Sequence, residues 1–155
     1  LKPSLRMPVY VFDINGAEIT VIPCYGAGLW GPIWGYIALN ADGKTITGAV
    51  FDHKGETPGL GSKIADAPFC SEFKGKTLDL SSAQSFAVAK PGSLDNPEHG
   101  VDAISGATIT SRALGLSIDM WARNYSAYLI AAAAENENAQ AAADELTETN
   151  ENVEE

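Results

Sequence analysis

One stretch of the chain repeats its apolar residues at a spacing that only a long helix can use. Leu114, Ile118, Trp121, Tyr125, Leu129 and Ala132 recur at intervals of three and four, which lines them up as one stripe. Arg112, Arg123, Asn124 and Ser126 fall largely on the opposite side. The pattern predicts a helix beginning near Thr110. Such a stripe needs a surface to cover, and what precedes it is patterned as strands.

Val9–Ile14 and Ala17–Ile22 flank Asn15-Gly16, a pair whose tolerance of positive φ marks a two-residue hairpin. A second hairpin is expected from Ile33–Leu39 and Thr45–Phe51, joined through Asn40-Ala-Asp-Gly43. Ser62 is placed to cap a short helix reaching about Phe69, and Leu78–Leu80 and Ser85–Ala89 read as short strands. Pro91 to Gly100 reads as a polar loop. Hairpins followed by one long packing helix give an α+β fold: a curved antiparallel sheet packed on a long C-terminal helix and a short helix.

Composition narrows the function. The 155 residues suit a single domain with a real core. A net charge of -10 argues against a nucleic-acid or anionic-membrane surface. Eight of the 20 acids and none of the 10 bases lie in residues 135–155, so this segment is expected to be a solvated acidic tail, as fraying helix or disorder. Cys24 and Cys70 have no CxxC spacing, and His53 and His99 are the only histidines. Zinc, iron–sulfur and CxxCH haem sites are therefore not expected. Two buried thiols are the favoured reading, with a disulfide left open.

Gly26-Ala-Gly28-Leu-Trp-Gly31 matches a GxGxxG fingerprint, but that motif needs a helix after it. Pro32 and a strand-like run follow instead, so dinucleotide binding is not expected. Asp102-Ala-Ile-Ser105-Gly106-Ala107-Thr108-Ile-Thr110-Ser111 places small residues and hydroxyls just before the helix. Gly106 and Ala107 let a bulky group approach the backbone, and first-turn N–H groups favour an anion. An ordinary capped start, with Ser105 or Thr108 as the cap, fits the same string.

The stretch Asp102-x-x-Ser105-Gly106-Ala107-Thr108 resembles the site at which a flavin transferase attaches FMN to threonine, through a phosphoester with the hydroxyl. Gly26-Ala-Gly-Leu-Trp-Gly-Pro-Ile-Trp-Gly-Tyr36 and Gly55-Glu-Thr-Pro-Gly-Leu-Gly61 agree with it in order and spacing. Over roughly residues 20–130 the chain resembles the FMN-binding domains of the C-type subunits of Na+-translocating NADH:quinone reductases. The G-type subunits of Rnf complexes share that domain.

The resemblance implies an FMN-binding domain over residues 1–134, with the tail outside it. It implies that Thr108 carries FMN, with Thr110 and Ser111 as the wrong acceptors. Asp102, Ser105, Gly106 and Ala107 would be the stretch the transferase recognises. Trp30, Glu56, Thr57 and Leu60 would lie around the isoalloxazine ring, with loop 55–61 offering N–H groups to its edge. Lys90 would sit near the flavin.

The implied role is an electron relay without its own NADH site, catalytic residue or metal, within an ion-pumping NADH:quinone oxidoreductase. Its partners would be the other subunits of the membrane complex. The resemblance also implies an inner-membrane protein, anchored by an N-terminal helix outside this chain, with the domain periplasmic. An Rnf-type FMN carrier and a non-redox extracellular ligand-binding domain stand as alternatives.

Overall fold

The computed structural model describes residues 6–151. Strands β1 (Tyr10–Ile14), β2 (Ala17–Ala27), β3 (Pro32–Asn40) and β4 (Ile46–His53) form one antiparallel sheet in chain order. Asn15 and Gly16 take φ of 56° and 82°, the conformation that matches the strands' right-handed twist. The Gly16 N–H also donates to Asp13 Oδ1 at 2.8 Å. Both expected hairpins are present. The glycine run between them turns β2 into β3, with the Gly28 N–H donating to Gly31 O at 2.8 Å. Pro23 is tolerated inside β2 because β1 pairs no further than Val21, which leaves one edge of β2 free.

Helix α2 (Thr108–Glu151) runs for 44 residues and packs on β2. Its stripe lands as the periodicity predicts: Leu114, Ile118, Tyr125 and Leu129 are buried, and Trp121 is half-buried. They meet Ile22, Cys24, Ile33, Ile37 and Leu39 from the sheet. Full burial of a Leu or Ile is worth about 1.5–3 kcal/mol, so this one interface supplies much of what fixes the helix. Its last turns, through the acidic segment, remain helical to Glu151. No helix among the described residues is long and apolar enough to cross a membrane.

The connecting region departs from expectation. Ser62 does not cap a helix: a 3-10 turn (Gly61–Ala65) comes first, and α1 (Ala67–Ser71) begins only after Asp66, with Pro68 in its first turn. Ser62 Oγ instead accepts the Gly59 N–H at 3.0 Å. Leu78–Leu80 is not a strand; Leu78 is buried in the core, and only Thr77 bridges to Thr45. β5 is shorter than expected (Ala87–Ala89) and pairs in parallel with an unforeseen β6 (Gly100–Asp102). This pair packs on α2 near its start. There Gly115 allows contact, since a Cβ would lie 2.6 Å from Val88 N.

Candidate functional site

At the start of α2 the chain turns through Gly106 at φ 78°, where a Cβ would also press on Leu60 Cδ2 at 3.1 Å. Glycine is required there by conformation and tolerated by contact. Three hydroxyls follow within four residues, and the fold separates them. Ser111 Oγ donates to Ala107 O at 2.9 Å and accepts the Ile104 N–H at 3.1 Å, fully buried. Thr110 Oγ1 is 2% exposed and donates to Glu56 Oε2 at 2.6 Å. Thr108 is exposed, and its Oγ1 makes no hydrogen bond to any described residue. The capped-start reading fails on the same facts. Neither Ser105 nor Thr108 lends its side chain to the helix; Ser111 holds the preceding turn from inside.

Glu56 ties three segments together. Its carboxylate accepts the Trp30 N–H at 2.9 Å on one oxygen and the Thr110 hydroxyl on the other. At 5% exposure it forms no ion pair among the described residues, so these charge-assisted bonds are what make its burial tolerable. Its own N–H donates to His53 Nδ1 at 3.2 Å. Gly28 and Gly61 close over it; a Cβ at either would come within 2.4 and 2.3 Å of a carboxylate oxygen. The glycine-rich turn, the 55–61 loop and the helix start are thereby locked in one arrangement.

Two cavities open beside Thr108. One, of about 300 Å³, is lined by Leu29, Glu56, Thr57, Leu60, Ala107 and Ile109, among others. Leu29, Leu60 and Ile109 are exposed apolar residues. The other, of about 620 Å³, runs along β5 and includes Lys90, His99, Thr108 and Arg112. The first is a mostly apolar slot, and the second is polar, with Lys90 and Arg112 balanced by Asp79 and Asp95. An exposed hydroxyl between an apolar slot and a polar cleft that holds Lys90 and Arg112 suits a ligand with a flat ring and a phosphate.

The site residues named from sequence divide accordingly. Gly106, Ala107, Glu56, Thr57 and Leu60 are gathered around Thr108 on the slot side, and Lys90 is on the cleft side. Trp30 does not line the slot. It is 66% exposed and held by its backbone beside Leu29, which does line it. Asp102 and Ser105 are exposed and line neither cavity; Asp102 borders a separate cleft with Glu72 and Lys76.

Half of the loop N–H groups expected to face a ring are engaged within the protein. Glu56 donates to His53 Nδ1, Gly59 to Ser62 Oγ and Leu60 to Thr57 O, which leaves the Gly55, Thr57 and Gly61 N–H groups without a partner among the described residues. Leu29, Ile109 and Arg112 are absent from the sequence expectation. Leu29 and Ile109 are apolar residues next to motif positions, and their exposure is what the motif does not display. Arg112 reads as solvated helix surface until β5 comes to lie beside it.

The family model described as FMN-binding domain matches residues 28–122. The chain belongs to the FMN-binding domain family. It is 37% identical over 115 residues to the C-type subunit of the Na(+)-translocating NADH-quinone reductase of Pasteurella multocida, covering 73% of this chain and 44% of that one. The corresponding subunit of Haemophilus ducreyi is 39% identical over 128 residues, with 77% and 49% covered. This chain thus spans less than half the length of these curated relatives. The crystal structure of the same subunit from Parabacteroides distasonis superposes with a TM-score of 0.74 at 43% identity, covering 78% of this chain and 61% of that one. The structure of NqrC from Shewanella oneidensis gives 0.70 at 38% identity, with 79% and 58% covered. The family's α+β architecture is the one described above.

Proposed function

We propose that Thr108 Oγ1 carries one FMN through a phosphoester, placed there by a flavin transferase, and that the domain relays electrons as part of a Na+-translocating NADH:quinone reductase. One observation carries the reading. Of the three hydroxyls at the start of α2, Thr108 alone is exposed and unbonded, and it opens onto both cavities.

FMN, when bound, supplies the electron-transfer chemistry; the protein supplies place and polarity. Leu29, Leu60 and Ile109 give the slot apolar walls, and Trp30 stands at its margin. Glu56 holds the slot to the tether, Thr57 offers its free N–H, and Gly106 keeps the approach to Thr108 open. Lys90 gives the cleft positive charge. Asp102 and Ser105, exposed in the segment that leads into the attachment point, are available to the transferase.

A covalent tether keeps the flavin through changes of oxidation state. Electrons enter from and leave to centres on the complex's other subunits. The full-length protein is anchored in the bacterial inner membrane by a helix outside this chain, with the domain on the periplasmic side. The FMN-binding unit is residues 1–134, and the acidic residues 135–155 are an extension beyond it.

Intact mass spectrometry of protein produced with and without the transferase tests this. The expected result is a single FMN adduct on wild type matured with the transferase, and none on Thr108→Val. A wild-type mass without adduct, or a Thr108→Val protein that keeps it, overturns the reading.

A further inference from the structure

We propose that Arg112 is the counter-charge for the phosphate at Thr108 and sets the direction in which the tether leaves the helix. The inference rests on Thr108 being the attachment point.

Helix α2 carries two arginines, and they are used differently. Arg123 is committed: its Nε and Nη2 donate to Asp119 Oδ2 at 3.2 and 3.0 Å. Arg112 makes no hydrogen bond or ion pair with any described residue. It lies four residues after Thr108, on the same helix face and about 6 Å along the axis. Both residues line the 620 Å³ cleft.

The cleft's other charged groups are Lys90, His99, Asp79 and Asp95. Asp79 is engaged by Ser81, through N–H and hydroxyl at 3.1 and 2.7 Å, and stands 4.0 Å from His99 Nε2. Neither acid pairs with Arg112. His99 Nδ1 lies within hydrogen-bond distance of the Thr77 hydroxyl and carbonyl, at 2.8 and 2.9 Å. Lys90 sits on a loop, whereas Arg112 shares a rigid element with Thr108, so helix pitch fixes the spacing of the two backbone positions.

A phosphodiester keeps one negative charge and two free oxygens at neutral pH. A guanidinium presents a planar fork of N–H donors that matches two such oxygens. Arg112 would hold the phosphate on the cleft side of Thr108 and leave the slot lined by Leu29 and Leu60 for the ring. Arg112 is thus a positioning residue.

The test uses wild type, Arg112→Gln and Arg112→Lys, each matured with the transferase and checked by intact mass. Lys63→Gln, an exposed base outside both cavities, serves as control. The readout is the phosphorus-31 resonance of the loaded protein, native and in urea. The wild-type native resonance should differ from its urea position. Arg112→Gln should move it to the urea position, Arg112→Lys should restore part of the difference, and the control should match wild type.

Loading of the Lys variant but not the Gln variant supports the same need for charge. A Gln variant whose native resonance coincides with wild type overturns the inference. So does failure of both Arg112 variants to load, a pattern that belongs to transferase recognition. Absence of flavin from wild type itself is a failure of the attachment reading, and the mass measurement identifies it separately.

Discussion

Thr108 and Thr110 lie two residues apart and should respond oppositely to the same substitution. Valine keeps threonine's shape and removes the hydroxyl, so no cavity is created. At position 110 the hydroxyl is buried and donates to Glu56 Oε2 at 2.6 Å. A hydrogen bond to a charged group contributes about 1.5–3 kcal/mol, and an orphaned buried acceptor is costly. Glu56 still accepts the Trp30 N–H, which places the expected loss near 2 kcal/mol.

For a domain of this size that corresponds to a fall in Tm of about 4–8 °C. Thr108→Val, at an exposed and unbonded hydroxyl, should stay within about 0.5 kcal/mol of wild type. Urea denaturation of the flavin-free proteins measures both, with Thr110→Ser as the variant that keeps the donor and loses about 1 kcal/mol or less. After maturation, Thr110→Val should carry flavin and Thr108→Val should not. Equal stabilities for the two valine variants would refute the division of labour among the hydroxyls.

Gly61→Ala places a Cβ 2.3 Å from Glu56 Oε2 and should destabilise by about 2 kcal/mol or more in the same assay, although the backbone there is not left-handed. Burial pushes Asp119 up, but hydrogen bonds from Arg123 and Ser85 outweigh it and hold the carboxyl below its usual value. Its folded pKa is therefore the lower one, and its stabilisation is present above about pH 4 and lost as pH falls. Acid titration of unfolding should show a shallower loss below pH ~4 for Asp119→Asn than for wild type. Burial pushes the Cys24 thiol up to about 12, so a thiol reagent at pH ~8 should leave Cys24 unmodified until the protein unfolds; modification of native Cys24 would contradict the packing of β2.

Much of the sheet was legible because its instructions are local. Asn15-Gly16 fixes its own hairpin, and the α2 stripe fixes its own face. Leu78–Leu80 misled because three apolar-rich residues read alike as a strand or as a buried coil. The parallel pairing of Ala87–Ala89 with Gly100–Asp102 was invisible, since it depends on where the loop between them returns and no local pattern encodes that. At the candidate site, the motif singles out Thr108 only by resemblance, and packing is what distinguishes it from Thr110 and Ser111, which are the same kind of residue in the same string. Arg112 carries no mark of its own; its significance comes from β5 lying alongside the helix start.

The carboxylate of Glu56 gives the slot and the tether a common reference point. A displacement of the Trp30 turn cannot occur without straining the bond to Thr110, so the rim and the first turn of α2 move as one piece. Under the proposed function, the slot and the attachment point would keep one fixed spacing. That fixed frame would present the bound group to any redox partner at a reproducible distance.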